Sequence, residues 1–189
     1  MPLNIPNVLT WLRIIMIPLF VGIFYLPEAW MSRPVQNITA TALFTLAAIT
    51  DWLDGYLARS LNQTSAFGAF LDPVADKLMV AAALVVLVDL DRINAVYAFI
   101  IIGREITISA LREWMAKIGK SRSVAVSFLG KVKTVSQMVA IPMLLFHDSI
   151  GPLDMEFIGS MLMLVAAILT VLSMIFYLKL ALPHLVDER

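Results

Sequence analysis

Asp51-Trp52-Leu53-Asp54-Gly55-Tyr56-Leu57-Ala58-Arg59 and, after eight further residues, Gly68-Ala69-Phe70-Leu71-Asp72-Pro73-Val74-Ala75-Asp76 set four carboxylates and an arginine into an otherwise oily chain. Ionised groups in apolar surroundings are costly unless opposite charge neutralises them. In the first stretch Asp51, Asp54, Gly55 and Ala58 recur at steps of three and four, so they line one face of a helix. In the second, Gly68, Asp72 and Asp76 recur every four residues and do the same. Two consecutive antiparallel helices, joined by a short turn from Arg59 to Phe67, can therefore point four carboxylates at one another. At about 1.5 Å per residue, Asp51 lies roughly 12 Å along the axis from Arg59, which sets the cluster just inside a helix end. Pro73 cannot donate to the Ala69 carbonyl, so a kink or loosened turn is expected there. Gly55, Ala58 and Gly68 carry almost no side chain, which lets a helix or a ligand backbone come close.

The 189 residues are 60% hydrophobic, with a mean hydropathy of +0.88. A soluble domain of this size has too little interior to hide so much apolar surface. Six segments are long enough to cross a bilayer, near 11–31, 36–58, 68–90, 93–115, 124–146 and 154–181. The expected architecture is all-α: an integral membrane bundle of six transmembrane helices forming a single domain over 1–189, with the active site at the cytoplasmic end. The first segment, with Arg13 ahead of it, has no small-residue cleavage site and reads as a retained helix. Arg13, Arg59, Lys77, Arg112, Lys117, Lys120, Arg122, Lys131, Lys133, Lys179 and Arg189 fall on one side, against Arg33 and Arg92 on the other. The positive-inside rule then makes both termini cytoplasmic in a multi-pass protein of the inner (plasma) membrane. A net charge of zero gives no global attraction to nucleic acid, and the absence of cysteine excludes disulfide and thiolate chemistry.

Four ionised aspartates carry a charge of −4, which two divalent cations balance. Hard ions such as Mg²⁺ or Mn²⁺ prefer oxygen ligands, and a pair of them can clamp a phosphoryl group during in-line displacement. Arg59 beside the cluster suits a phosphate. The bland alternative is a set of helix-end aspartates bonded to backbone or arginine. His147 and His184 lie far in sequence from metal-ligand partners and read as surface histidines. With no phosphate-binding glycine loop and no nucleophile elbow, direct displacement with an aspartate as base is the simplest chemistry.

The eight identities and their spacings resemble, at every defined position, the signature of the CDP-alcohol phosphotransferase family, D-x2-D-G-x2-A-R-x8-G-x3-D-x3-D. Asn7-x-Leu9-Thr10-x-x-Arg13 is similar to the family's N-terminal motif. Asn4-Ile5-Pro6-Asn7, the run from Phe67 to Lys77, Arg104-Glu105-Ile106, Leu111-Arg112-Glu113, Gly130-Lys131-Val132-Lys133-Thr134 and Gln137 resemble the members that use glycerol 3-phosphate. The resemblance implies a CDP-diacylglycerol donor, sn-glycerol 3-phosphate as acceptor, CMP as leaving group and a homodimer among membrane lipids. It implies that Asp51, Asp54 and Asp72 hold the metals, with Asp76 both a ligand and the base for the acceptor hydroxyl. Asn7, Thr10, Gly55, Ala58, Arg59 and Gly68 would surround the cytidine diphosphate.

The acceptor's phosphate also needs cations. Arg104, Arg112, Lys131 and Lys133 are the candidates, although positive residues flank cytoplasmic helix ends whatever the function. Lys117, Lys120 and Arg122 read as a solvated loop facing headgroups. Glu105 is expected on a different helix face from Arg104, without a role. A sister enzyme using serine or an inositol phosphate would keep the same signature. A cation transporter would instead place its acids near the midplane of repeated, broken helices, and a catalytically silent assembly protein would keep the motif without turnover.

Overall fold

Among the described residues the long apolar runs fold into six helices: α1 Ile5–Ile23, α2 Arg33–Ser60, α3 Ala66–Asp89, α4 Ala95–Lys117, α5 Phe128–Phe146 and α6 Met155–Val186. This computed structural model describes the backbone of residues 5–60, 66–119 and 128–186, and their side chains except at 5–7, 52, 54–60, 66, 67, 69 and 183–186. Among the described residues there is no strand, only an isolated bridge between Ile150 and Leu153.

The all-helical expectation holds, with one displaced segment. The first helix, expected near 11–31, begins at Ile5 and ends at Ile23. Beyond it the backbone closes into turns, the Tyr25 N–H donating to Gly22 at 3.1 Å and the Trp30 N–H to Pro27 at 2.9 Å. Pro27 explains the difference: it lacks a donor and disfavours helix in the residue before it, however apolar the flanks. α2 then starts with Pro34 in its first turn, where a missing N–H costs nothing. α3, by contrast, runs through Pro73 unbroken.

The remaining ends are set by local chemistry. Asn94 caps α4 by accepting from the Val96 N–H at 2.9 Å, and Asp154 accepts from the Phe157 N–H at 2.9 Å at the start of α6. α4 stops where Gly119 adopts a φ of +73°, with its N–H donating to Ala116.

Phe20, Phe44, Leu84, Leu87, Ile101, Ile141 and Leu144 form a fully buried core shared by α1 to α5. Phe20 meets Phe24 edge-on at 6.1 Å and Phe44 at 6.4 Å. α5 and α6 approach closely at Gly159, where a Cβ would lie 2.8 Å from Leu144 Cγ. Arg92, in the link from α3 to α4, ties this end of the bundle together. It donates to the carbonyls of Leu144 (3.0 Å) and Leu145 (2.7 Å) and to Asn37 Oδ1 (2.7 Å), satisfying acceptors that the last turn of α5 leaves open.

Outward, every helix shows large apolar side chains: Leu19, Ile49, Val85, Phe99, Val135 and Ile168 are all more than half exposed. Among the described residues, 128–146 and 155–182 are long and apolar enough to cross a membrane, and α1 has a shorter apolar stretch over 8–23.

Candidate active site

The signature carboxylates are held partly by α1. Arg13, only 1% exposed, pairs with Asp51 of α2 at 2.7 Å. One turn earlier on the same face, Thr10 donates to Oδ1 of Asp72 on α3. Asp76 follows Asp72 by one turn and, with Asp51, lines a cavity of about 240 Å³. The helical spacing read from the sequence thus brings Asp51 and Asp76 to one space, and Thr10 into contact with Asp72. The side chains of Asn7, Asp54, Gly55, Ala58 and Arg59, all expected at the site, lie outside the described residues; Gly68 is buried.

Among the described side chains, of which Asp54 is not one, no three acidic or histidine groups are close enough to share a metal ion. The donor chemistry nevertheless fits a hard divalent cation. Asp51 and Asp76 offer carboxylate oxygens from two helices to one cavity, and a guanidinium already lies against Asp51, where positive charge is needed.

The same cavity is also lined by Lys77, Glu105, Lys133 and Gln137. Glu105 organises this side. Its Oε1 accepts from Lys133 Nζ at 2.5 Å and from Arg104 Nη1 at 3.1 Å. Lys77 Nζ donates to Ser109 Oγ at 2.5 Å, and that hydroxyl donates to the Glu105 carbonyl at 2.6 Å. Lys133 and Arg104 are buried, with 2% and 7% exposure, so each needs such a counter-charge. Arg112, two turns beyond Arg104, brings its Nη2 within 3.5 Å of the Tyr177 hydroxyl on α6. Arg104, Arg112 and Lys133 therefore fall into one connected group. Lys131 does not join it: two residues from Lys133 it points to another side of α5 and is exposed.

Four residues take part that sequence reasoning did not assign to the site. The sequence marks Arg13 as a topological charge and as the last residue of the N-terminal motif, without a site role; its place one turn after Thr10 was the available signal. Glu105 had been set on a separate face from Arg104, but both side chains are long enough to meet across that angle. An acid inside an apolar helix beside an arginine was the clue. Lys77 follows Asp76 directly, and Tyr177 carried no signal in its own segment. His147, expected at the surface, is half-buried, with its Nε2 3.7 Å from Glu156, and His184 lies outside the described side chains.

Beside the cavity, and sharing Lys77, Val80 and Glu105 with it, runs an apolar cleft of about 140 Å³ between α3 and α4, lined by Leu78, Ala81, Ile101 and Ile106. A charged chamber and an oily surface thus stand side by side.

Residues 3–172 match the family model described as CDP-alcohol phosphatidyltransferase. Proteins named CDP-diacylglycerol–glycerol-3-phosphate 3-phosphatidyltransferase from Escherichia coli (strain K12), Salmonella typhimurium and Shigella flexneri are each 50% identical to this chain over 190 aligned positions, covering 100% of both sequences.

Proposed function

Because the chain belongs to the CDP-alcohol phosphatidyltransferase family, we propose that it is the enzyme that transfers the phosphatidyl group of CDP-diacylglycerol to sn-glycerol 3-phosphate, releasing CMP. The observation that carries this reading is the shared cavity: Asp51 and Asp76 line it together with Lys133 and Glu105. A small alcohol bearing a phosphate can rest its anion toward the cations while its hydroxyl meets Asp76.

Asp76 takes the hydroxyl proton as that oxygen forms a bond to the phosphatidyl phosphorus and the bond from phosphorus to the CMP oxygen breaks. Asp51, Asp54, Asp72 and Asp76 would hold two Mg²⁺ or Mn²⁺ ions. Such ions, when bound, neutralise the donor's pyrophosphate and make CMP a better leaving group. Asn7, Thr10, Gly55, Ala58, Arg59 and Gly68 form the cytidine diphosphate side. Arg13 keeps Asp51 in place, and Thr10 does the same for Asp72. Arg104, Arg112 and Lys133 form the acceptor-phosphate side, with Lys131 at its periphery.

The apolar side chains that all six helices turn outward support a single multi-pass domain in the inner membrane. Basic residues concentrate toward the end that holds both termini, which supports a cytoplasmic site. The functional unit is a homodimer among membrane lipids, with no nucleic-acid partner.

The test is CMP release by purified protein in detergent, supplied with CDP-diacylglycerol and either glycerol 3-phosphate, serine or inositol phosphate. Phosphatidylglycerophosphate should form only with glycerol 3-phosphate and should stop on chelation, returning with Mg²⁺ or Mn²⁺. Product from another acceptor alone would reassign the substrate, and full activity under complete chelation would remove the metal-assisted scheme.

A further inference from the structure

Tyr177 lies on α6, distant in sequence from every signature residue, and is fully buried. The guanidinium carbons of Arg104 and Arg112 both stand over its ring, 5.6 Å and 5.4 Å from the centroid. We propose that Tyr177 is a positioning residue for the reaction: its ring face gathers two arginines of α4 into one cationic site for the phosphate of the acceptor. The proposal rests on the acceptor-side reading above.

The sequence of α4 prepares this arrangement. Arg104, Ile108 and Arg112 are spaced by four, so they form one stripe along the helix. That stripe meets α6, where Ile108, Met115, Tyr177 and Ala181 pack as a separate apolar cluster. Phe176 meets the Tyr177 ring edge-on at 5.8 Å, so the ring is fixed from several sides. Two guanidinium groups thus share one ring. The negative face of an aromatic ring attracts both, and does so more strongly away from water.

The two arginines are not equivalent. Arg104 is already paired with Glu105. Among the described residues Arg112 joins no ion pair, and its buried Nε has no hydrogen-bond partner. A guanidinium has five donors in a fixed fork; Arg112 spends one of them, on Nη2, on the Tyr177 hydroxyl at 3.5 Å. Tyr177 therefore orients Arg112 through ring and hydroxyl and leaves its remaining donors for an incoming phosphate, which Arg104 supplements.

Fluorinated phenylalanines at position 177 separate this role from packing, because added fluorines drain the ring face of negative charge while changing its shape little. In detergent-purified full-length protein, KM for glycerol 3-phosphate should rise stepwise with fluorine number, to about ten-fold, with kcat and KM for CDP-diacylglycerol nearly constant. Tyr177→Phe keeps the ring and loses the hydroxyl that accepts from Arg112 Nη2, so it is the reference from which the fluorine series is read. A flat series, or a fall in kcat with acceptor KM unchanged, overturns the proposal. Arg112→Gln tells the two readings apart. If it leaves acceptor KM unaltered, the acceptor-side assignment fails; if it raises KM while the fluorine series stays flat, only the role of Tyr177 fails.

Discussion

Arg92 and Arg104 belong to the same bundle and use the same functional group in different ways. Arg92 donates to two backbone carbonyls at the end of α5 and to the Asn37 amide oxygen. Arg104 pairs with a carboxylate that it shares with Lys133 beside a cavity, and rests over an aromatic face. Bonds to main-chain oxygens at a helix end have nothing to exchange with and hold the fold together. Charges compensated by other charges at a cavity wall can change partners when an anion enters. The part of the bundle around Arg92 is a clamp, and on the proposed function the part around Arg104 is a receptor.

That contrast predicts effects of different kinds and sizes. The largest lies on the cavity wall. Asp76→Asn should cut CMP release about 10³-fold, with the melting temperature in detergent within a few degrees of the parent. Preserved turnover would show that the two parts do not differ in chemistry. Next, Glu105→Leu removes the carboxylate that buried Lys133 and Arg104 both pair with and should lower unfolding free energy by about 3 kcal/mol. Adding Lys133→Met should recover much of that loss, as reversible unfolding of the double variant would report. At the clamp, Arg92→Ala should cost about 2 kcal/mol of stability while the folded fraction keeps its specific activity; a comparable drop in turnover would erase the distinction. Smallest is Asn94→Ala, which removes a cap exposed to solvent and should cost about 1 kcal/mol with no change in kinetics.

Much of the fold was legible because hydropathy and helical spacing are local properties. The steps Asp51 to Asp54 and Asp72 to Asp76 each fix a helix face, and a short link between two helices leaves few ways for those faces to meet. The end of α1 was less legible. Apolar composition continues to Met31, and only Pro27 marks the stop. Lys131 and Lys133 looked alike as basic residues near a helix end, yet a rotation of two residues buries one and exposes the other. The Glu105–Lys133 pair could not be read at all, since periodicity gives the face of each helix but not its neighbour 28 positions away. Tyr177 is the extreme case: its meaning depends on α4 and α6 meeting, which no spacing inside α6 encodes.

The salt bridge from Arg13 to Asp51 bears on how the molecule is made. Thr10, Arg13, Asp51, Asp72 and Asp76 all precede α4 in the chain, so a ribosome has finished the acidic half before it begins the residues from Arg104 to Tyr177. A nascent polypeptide made only as far as α3 carries several anionic residues, and Arg13 is already there to offset part of that charge. The later helices then deliver the cationic half against a partner that is already in position.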